Sequence, residues 1–422
     1  MIPARRTALA GTLLALIAAN PAAARVWQVG PTREHGAPSA VARLVQDGDT
    51  VEIDAGTYPR DVAIWTASRL TLRAVGGRAT LDATDTKLPQ RKAIWVIRGN
   101  DVRVEGIEFE NARSPDRNGA GIRAEGQGLT VSRCFFHDNE SGLLAGQIAG
   151  SDIVVEHSEF ARNGHRNGQA HSIYVGTIRS FTLRFSHVHH AVVGSQVKSR
   201  AQVSRILYNR IMDEADGQGN YNIDLSNGGR AFVIGNLIQQ GRRSENSNMI
   251  AFAPEGADNS VQELYVVHNT LVNDMPRGRF VMNRAEVPAV IYNNLFIGAG
   301  EVTEGPALLR GNVLAQERGW RRVVMGWFGD ESTFGGVPGS GANRVVESPG
   351  VRGLMRYDYR LQPDSPAIDA GVDPGDVDGQ ALAPDREYQH PLDGRPRLRR
   401  GAPDAGAFEF DPGAATARDR AR

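Results

Sequence analysis

A six-residue pattern recurs through the middle of the chain, with an aliphatic first place, a small or polar fourth place and an apolar sixth. It runs through Val104–Phe109, Val131–Phe136, Val155–Phe160, Leu183–Val188, Ile206–Ile211, Val233–Ile238, Val266–Leu271 and Ile291–Phe296. From Asn209 onward the fourth place is asparagine: Asn209, Asn236, Asn269, Asn294 and Asn312 in a shortened last copy. Asparagine tolerates the left-handed conformation, and its amide can bond the same residue one turn of a coil away. A period wandering between about 18 and 33 residues fits coils of constant core with loops of variable length. Five asparagines in phase predict an all-β fold, a right-handed parallel β-helix. A propeller would need longer, more even units, and leucine-rich repeats a denser leucine pattern.

A second series aligns on an aliphatic residue expected to point inward: Ile122, Leu143, Ile173, Val197, Ile223, Ile250 and Val281. Strand residues alternate sides, so both neighbours of each are expected to face solvent, in columns repeating about every 4.8 Å. The column after it reads Arg123, Leu144, Tyr174, Lys198, Asp224, Ala251 and Met282. Two places further it reads Glu125, Gly146, Gly176, Arg200, Ser226, Ala253 and Arg284. The column before it contributes Ser172, Gln196, Asn222 and Met249, and His171 begins the strand of Tyr174.

The ends of the chain read differently. Arg5 and Arg6, the apolar run from Thr7 to Ala19 and Ala22-Ala23-Ala24 have the layout of an export signal over residues 1–24, and the arginine pair weakly resembles a twin-arginine signal. The coiled body is expected over 25–315, an irregular insertion with Trp320 and Trp327 over 316–350, a closing segment over 351–410 and a disordered tail over 411–422. Val41 to Tyr58 fits a capping helix leading into the first strand. Asp369, Asp404 and Glu409 in the closing segment are expected in turns and caps rather than at an ion. No later stretch is long and apolar enough to span a bilayer. With one cysteine, Cys134, no intrachain disulfide can form, so stability must come from burial and hydrogen bonding. The formal net charge of +0 excludes a general binder of nucleic acid or membrane surfaces. Affinity for a charged ligand must be local.

The columns assemble such a place around Lys198, Tyr174, His171 and Asp224, with Arg200, Asn222, Gln196, His190 and Glu255 around them. A lysine whose environment lowers its pKa can take a proton. Tyr174 or His171 can give one, Asp224 can orient the lysine, and an arginine can hold a carboxylate with two hydrogen bonds. These are the parts for β-elimination on an acidic polysaccharide. The plainer reading of Lys198 with Asp224 is a cross-strand ion pair on a solvated face. His187, His189 and His190 precede Lys198, and Asp213, Glu214 and Asp216 precede Asp224; the histidines alternatively suit a transition metal, although the site as read contains none.

The segment Val197-Lys198-Ser199, followed by Tyr208-Asn209 and Gly235-Asn236, resembles the centre of the chondroitinase-B and alginate-lyase type of β-helix lyases, within the pectate-lyase-like superfamily. Val41–Tyr58 resembles the opening segment of such proteins, and Ser365–Gly371 and Asp404–Glu409 resemble the closing segments of bacterial β-helix proteins. The resemblance implies a polysaccharide lyase with a lysine base at Lys198, an arginine one coil later and acid-bound calcium. The arginine position falls near Ser226, with Arg200 as the available substitute. Ala191 and Val193 stand where the acidic calcium ligands are expected.

The leading expectation is therefore an exported lyase, periplasmic or secreted, acting on a uronic-acid-containing glycan, with Arg200 and Asn222 clamping its carboxylate. A uronan epimerase would use nearly the same groups. A glycoside hydrolase would pair Asp224 with Glu214 or Glu255 across the scissile bond. A non-catalytic glycan- or protein-binding solenoid would show exposed aromatic platforms, for which Tyr174 and Tyr221 are the central candidates.

Overall fold

The computed structural model describes residues 23–166, 170–316 and 343–413. Residues 1–22 of the stretch expected to be an export signal, the Trp320 and Trp327 part of the expected insertion and most of the tail lie outside these residues. The described chain winds into a parallel β-helix. One coil shows the plan: Val203–Leu207 forms a first face, Arg210–Met212 a second after a sharp turn, and Ile223–Leu225 a third after a loop. First and second faces belong to a 22-stranded sheet and the third to a 10-stranded sheet.

The register follows the hydrophobic pattern. Leu183 pairs with Ile206 and Ile206 with Val233 on the first face, and on the third Ile173, Val197, Ile223 and Ile250 pair in turn. These residues are fully buried. Each strand hydrogen-bonds its neighbours above and below, so a one-residue slip would turn every aliphatic side chain outward.

The turn between first and second faces is held by a buried amide ladder. Asn209, Asn236, Asn269 and Asn294 each donate from Nδ2 to Oδ1 of the next ladder residue at 3.0 Å, and Asn312 donates to Asn343 at 2.9 Å. The same oxygen also accepts the preceding ladder residue's backbone N–H. Toward the N-terminus Ser158 and Ser186 hydroxyls take over, accepting from the Cys134 and Ser158 amides. Cys134 fills the ladder position in its own coil, and burial pushes its thiol up to about 12. Inside, Phe109, Phe136 and Phe160 stack with centroids 4.9 and 4.6 Å apart.

Several expectations need correction. The column before the inward aliphatic residue does not face solvent: Met249 and Phe280 lie in the core. A Cβ on Gly121 or Gly142 would stand 2.6 or 2.7 Å from a ring carbon of Phe136 or Phe160. The strand enters the third face at a corner, where two successive side chains point in, so strict alternation fails. Among the described residues the strand Val26–Val29 and a 3-10 turn, Pro38–Ala40, precede the first long strand, Thr50–Pro59, and the start of the stretch expected to be a capping helix holds turns instead. Asn343 and the strand Arg344–Val346 add a further rung beyond residue 315, inside the expected insertion.

The closing segment runs along the flank of the stack. Tyr359, Leu361, Ala367, Tyr388 and Phe408 pack on outward residues of the second face, among them Leu237, Val272, Leu295 and Val313. Asp404 and Glu409 serve this docking: Asp404 accepts from the Asp369 and Phe410 amides, and Glu409 pairs with buried Arg397. No helix among the described residues is long and apolar enough to cross a membrane.

The ladder carries a stability prediction. Asn269→Ala removes the Oδ1 that accepts Asn236 N–H and the Nδ2 that donates to Val233 O at 2.7 Å. A buried orphan costs about 1–3 kcal/mol, so urea unfolding should show a loss of about 2–4 kcal/mol. Asn343→Ala, at the half-buried end of the ladder, should cost about 1 kcal/mol.

Candidate functional site

The third face presents the predicted column in register: Tyr174 pairs with Lys198, Lys198 with Asp224, and Asp224 with Ala251. Leu144, one coil before Tyr174, joins Val96 in an outer apolar cluster on which the Tyr174 ring rests. That support fixes the tyrosine next to the charges.

Lys198 Nζ lies 3.1 Å from Asp224 Oδ2 and also contacts Glu255. Glu255 follows the third-face strand two coils on, its backbone N–H bonded to Ser226 O. Its other carboxylate oxygen contacts Arg200. Arg200 Nε donates to Tyr174 Oη at 3.1 Å, and its Nη1 donates to Asn227. Asp224 is held by the Ser226 hydroxyl at 2.8 Å and the Ser195 hydroxyl at 3.4 Å. Lys198 and Asp224 side chains are 10% and 4% exposed against 45% for Glu255, so Glu255 is the outermost member of the cluster.

Burial opposes the charge on Lys198, yet Asp224 and Glu255 outweigh it and its pKa is raised. This reverses the expectation of a lysine with lowered pKa: at rest Lys198 holds its proton. Burial acts on Glu255 in the opposite sense, but hydrogen bonds from Lys198 and Arg200 pull it below the ordinary carboxylate range. His171 stands beside Tyr174 with ring centroids 5.7 Å apart, and its Nδ1 accepts the Ser195 backbone N–H at 2.9 Å. Burial and then the Lys198 charge lower its pKa to about 3. It is therefore neutral at physiological pH and is no cationic acid.

Other expected residues are placed elsewhere. Gln196 and Asn222 occupy the inward corner column and are 0% and 1% exposed. Gln196 donates to Met212 O and to Asp213, and Asn222 to Gln239 O, so both brace loops inside the stack and cannot clamp a ligand on the open face. His190 lies on the second face, 3.1 Å from Asp216. Glu214 belongs to that group too: burial is overridden by His187 and Arg210, which hold it down to about 2. Asn227 and Ser195, which position Arg200 and Asp224, are not among the residues the sequence pattern points to. Ser195 shares His171's place in the repeat, two residues before the inward aliphatic, while Asn227 lies in a turn that the columns do not reach.

The carboxylates here do not fit a calcium ion, which takes six to eight oxygen ligands. Ala191 and Val193 are buried apolar residues, and Asp224 and Glu255 are already paired with cations.

A model of the right handed β-helix region matches residues 64–238, which include Lys198 and Arg200 but not Glu255. Among solved structures, the crystal structure of pectate lyase Pel9A is similar over 92% of this chain and 96% of that one, with a TM-score of 0.61 and 16% identity. No curated protein matches the chain in sequence. The fold is a right-handed parallel β-helix of the pectate-lyase-like kind, and at this identity the likeness is one of fold.

The depressed His171 pKa has a consequence for stability. Unfolding returns it to an ordinary value near 6.5, so below that pH the unfolded chain binds the extra proton. Its contribution is complete above pH of about 6.5 and declines as pH falls toward about 3, by up to about 1.4 kcal/mol per pH unit. Denaturant midpoints measured between those limits should show a shallower decline for His171→Gln than for the parent chain.

Proposed function

We propose that this chain is a polysaccharide lyase that cleaves a uronic-acid-containing glycan by β-elimination, in the periplasm or outside the cell. The observation that carries the reading is the Glu255 carboxylate held between the Lys198 ammonium and the Arg200 guanidinium. An amine and a guanidinium sharing one exposed carboxylate form the complement of a uronate. Substrate would take the place of Glu255, its carboxylate passing to Arg200, which Asn227 and Tyr174 hold in orientation.

The displacement also prepares the base. With Glu255 gone, Lys198 keeps one carboxylate partner instead of two, and burial, which disfavours its charge, regains weight. Once it has released its proton to solvent, its neutral amine takes the proton α to the uronate carboxylate. The electron pair forms the carbon–carbon double bond as the bond to the leaving glycosidic oxygen breaks. Tyr174 protonates that oxygen while the Arg200 Nε–H bonds its own oxygen and stabilises the phenolate.

Hydrolysis is less well supported. It needs one carboxylic acid with a raised pKa, whereas Glu255 is lowered and Glu214 stands with the second-face histidines. Epimerisation uses the same groups and differs in where the proton returns. A purely binding role would leave the buried lysine and its two carboxylates unexplained, since exposed aromatic platforms suffice for sugar capture.

The reading is checked by ultraviolet absorbance of unsaturated ends when purified protein meets alginate, pectate, polyglucuronate, glycosaminoglycans and gellan-type polymers. A rise that falls about 10²–10⁴-fold in Lys198→Ala is expected. New reducing ends without absorbance would overturn it in favour of hydrolysis, and altered uronate configuration without cleavage in favour of epimerisation. Glu255→Ala separates the roles of the carboxylates: as an internal competitor of substrate, its loss should lower KM several-fold and preserve kcat within about tenfold. Loss of all turnover in this variant would make Glu255 a participant in the chemistry.

A further inference from the structure

The second face carries a group of imidazoles and carboxylates that the lyase reading does not use. His187 and His189 lie on one strand, one coil beyond Glu159, with which His187 pairs directly in the sheet. Glu159, His187 and His189 each offer a ligand atom within 4.8 Å of the other two. His189 Nε2 is 3.1 Å from Glu159 Oε1, and the His187 and His189 rings stack with centroids 4.0 Å apart. His187 is 6% exposed, and its buried Nε2 makes no hydrogen bond, the nearest carboxylate oxygen being Glu214 Oε1 at 3.5 Å.

Proton counting sharpens the case. A chain of close contacts runs from Glu159 Oε1 to His189 Nε2, from His189 Nδ1 to His190 Nδ1 at 2.6 Å, and from His190 Nε2 to Asp216 Oδ1 at 3.1 Å. Each contact joins two lone-pair atoms unless a proton lies between them, so three protons are needed. Two neutral imidazoles supply two. The remaining contact needs one further positive charge, a proton or a metal ion. A metal ion on His189 Nε2 supplies that charge. Glu159 and His189 then share the cation, His189 Nδ1–H donates to His190, and His190 Nε2–H donates to Asp216. A metal-bound imidazole ordinarily gives its other N–H to such a relay of outer partners.

We propose that Glu159, His187 and His189 bind one late first-row divalent cation of the zinc type, oriented through His190 and Asp216. Two imidazoles and a carboxylate are a donor set for zinc, and a tetrahedron with bonds of about 2.0–2.1 Å has edges of about 3.3–3.4 Å, close to the 3.1 Å between His189 and Glu159. Calcium prefers an all-oxygen shell and is disfavoured here. Three protein ligands leave a coordination position for water or a ligand atom.

The test is calorimetric titration of the full-length protein, freed of metal by EDTA and dialysed, with Zn²⁺ in a buffer that does not bind metal. Saturation at one Zn²⁺ per chain is expected, with affinity reduced more than about tenfold in His189→Gln and in Glu159→Gln, and about 10–100-fold in His190→Phe. Zinc should raise Tm for the parent chain and not for His189→Gln. A thousandfold excess of Ca²⁺ should leave the zinc isotherm unchanged. Absence of saturable uptake would overturn the proposal, as would undiminished affinity in both His189→Gln and His187→Asn with native circular dichroism.

Discussion

Parallel stacking at one strand spacing per coil is the constraint on which everything else in this protein rests. Every backbone group of a strand is paired above and below, so each coil inherits its register from its neighbour. The buried asparagine ladder guards that register at the sharpest bend: each Oδ1 takes both an amide N–H and a side-chain N–H from the preceding ladder residue. An error of one residue would break these bonds and expose the aliphatic rows together. The same rigidity lets loops vary freely, because each returns to a strand whose position is already decided.

That constraint also turns sequence spacing into geometry at the candidate site. Tyr174, Lys198 and Asp224 come from three loops of different length and still arrive as direct neighbours. A long side chain held between stacked strands loses most of its water. For Lys198 the result is a balance: burial pushes its proton off while two carboxylates hold it on, and the carboxylates win. Because one of them is exposed, the balance can be altered from outside.

The aliphatic rows were readable from the chain because burial leaves a strong mark on residue choice, and the outward column through Tyr174, Lys198 and Asp224 followed from them. Strict alternation misled at the corner. There the backbone turns, and Gln196 and Asn222 follow Met249 and Phe280 inward. Asn343 continued the ladder after a long gap that hid its phase. His190, one residue beyond the strand His187–His189, turned with the second face and away from Lys198. Glu255 was foreseen as a site residue but not as the bridge between Lys198 and Arg200. Its reach across two coils depends on a turn conformation that no periodic pattern encodes.

The charges of the third-face cluster close on themselves, with Lys198 and Arg200 set against Asp224 and Glu255. A ligand therefore enters by exchange rather than addition. Only a group that brings its own carboxylate to Arg200 can displace Glu255 without leaving that partly buried guanidinium uncompensated, which is costly, whereas Lys198 keeps Asp224. A neutral sugar offers hydroxyls and fails that requirement, while a uronate meets it. On the proposed lyase reading, selectivity for acidic chains arises from the resting state of the site: the internal carboxylate excludes ligands that cannot do its electrostatic work. On that same proposed reading, the exchange removes one of the two anions that keep Lys198 protonated, so recognition and activation of the base become a single event.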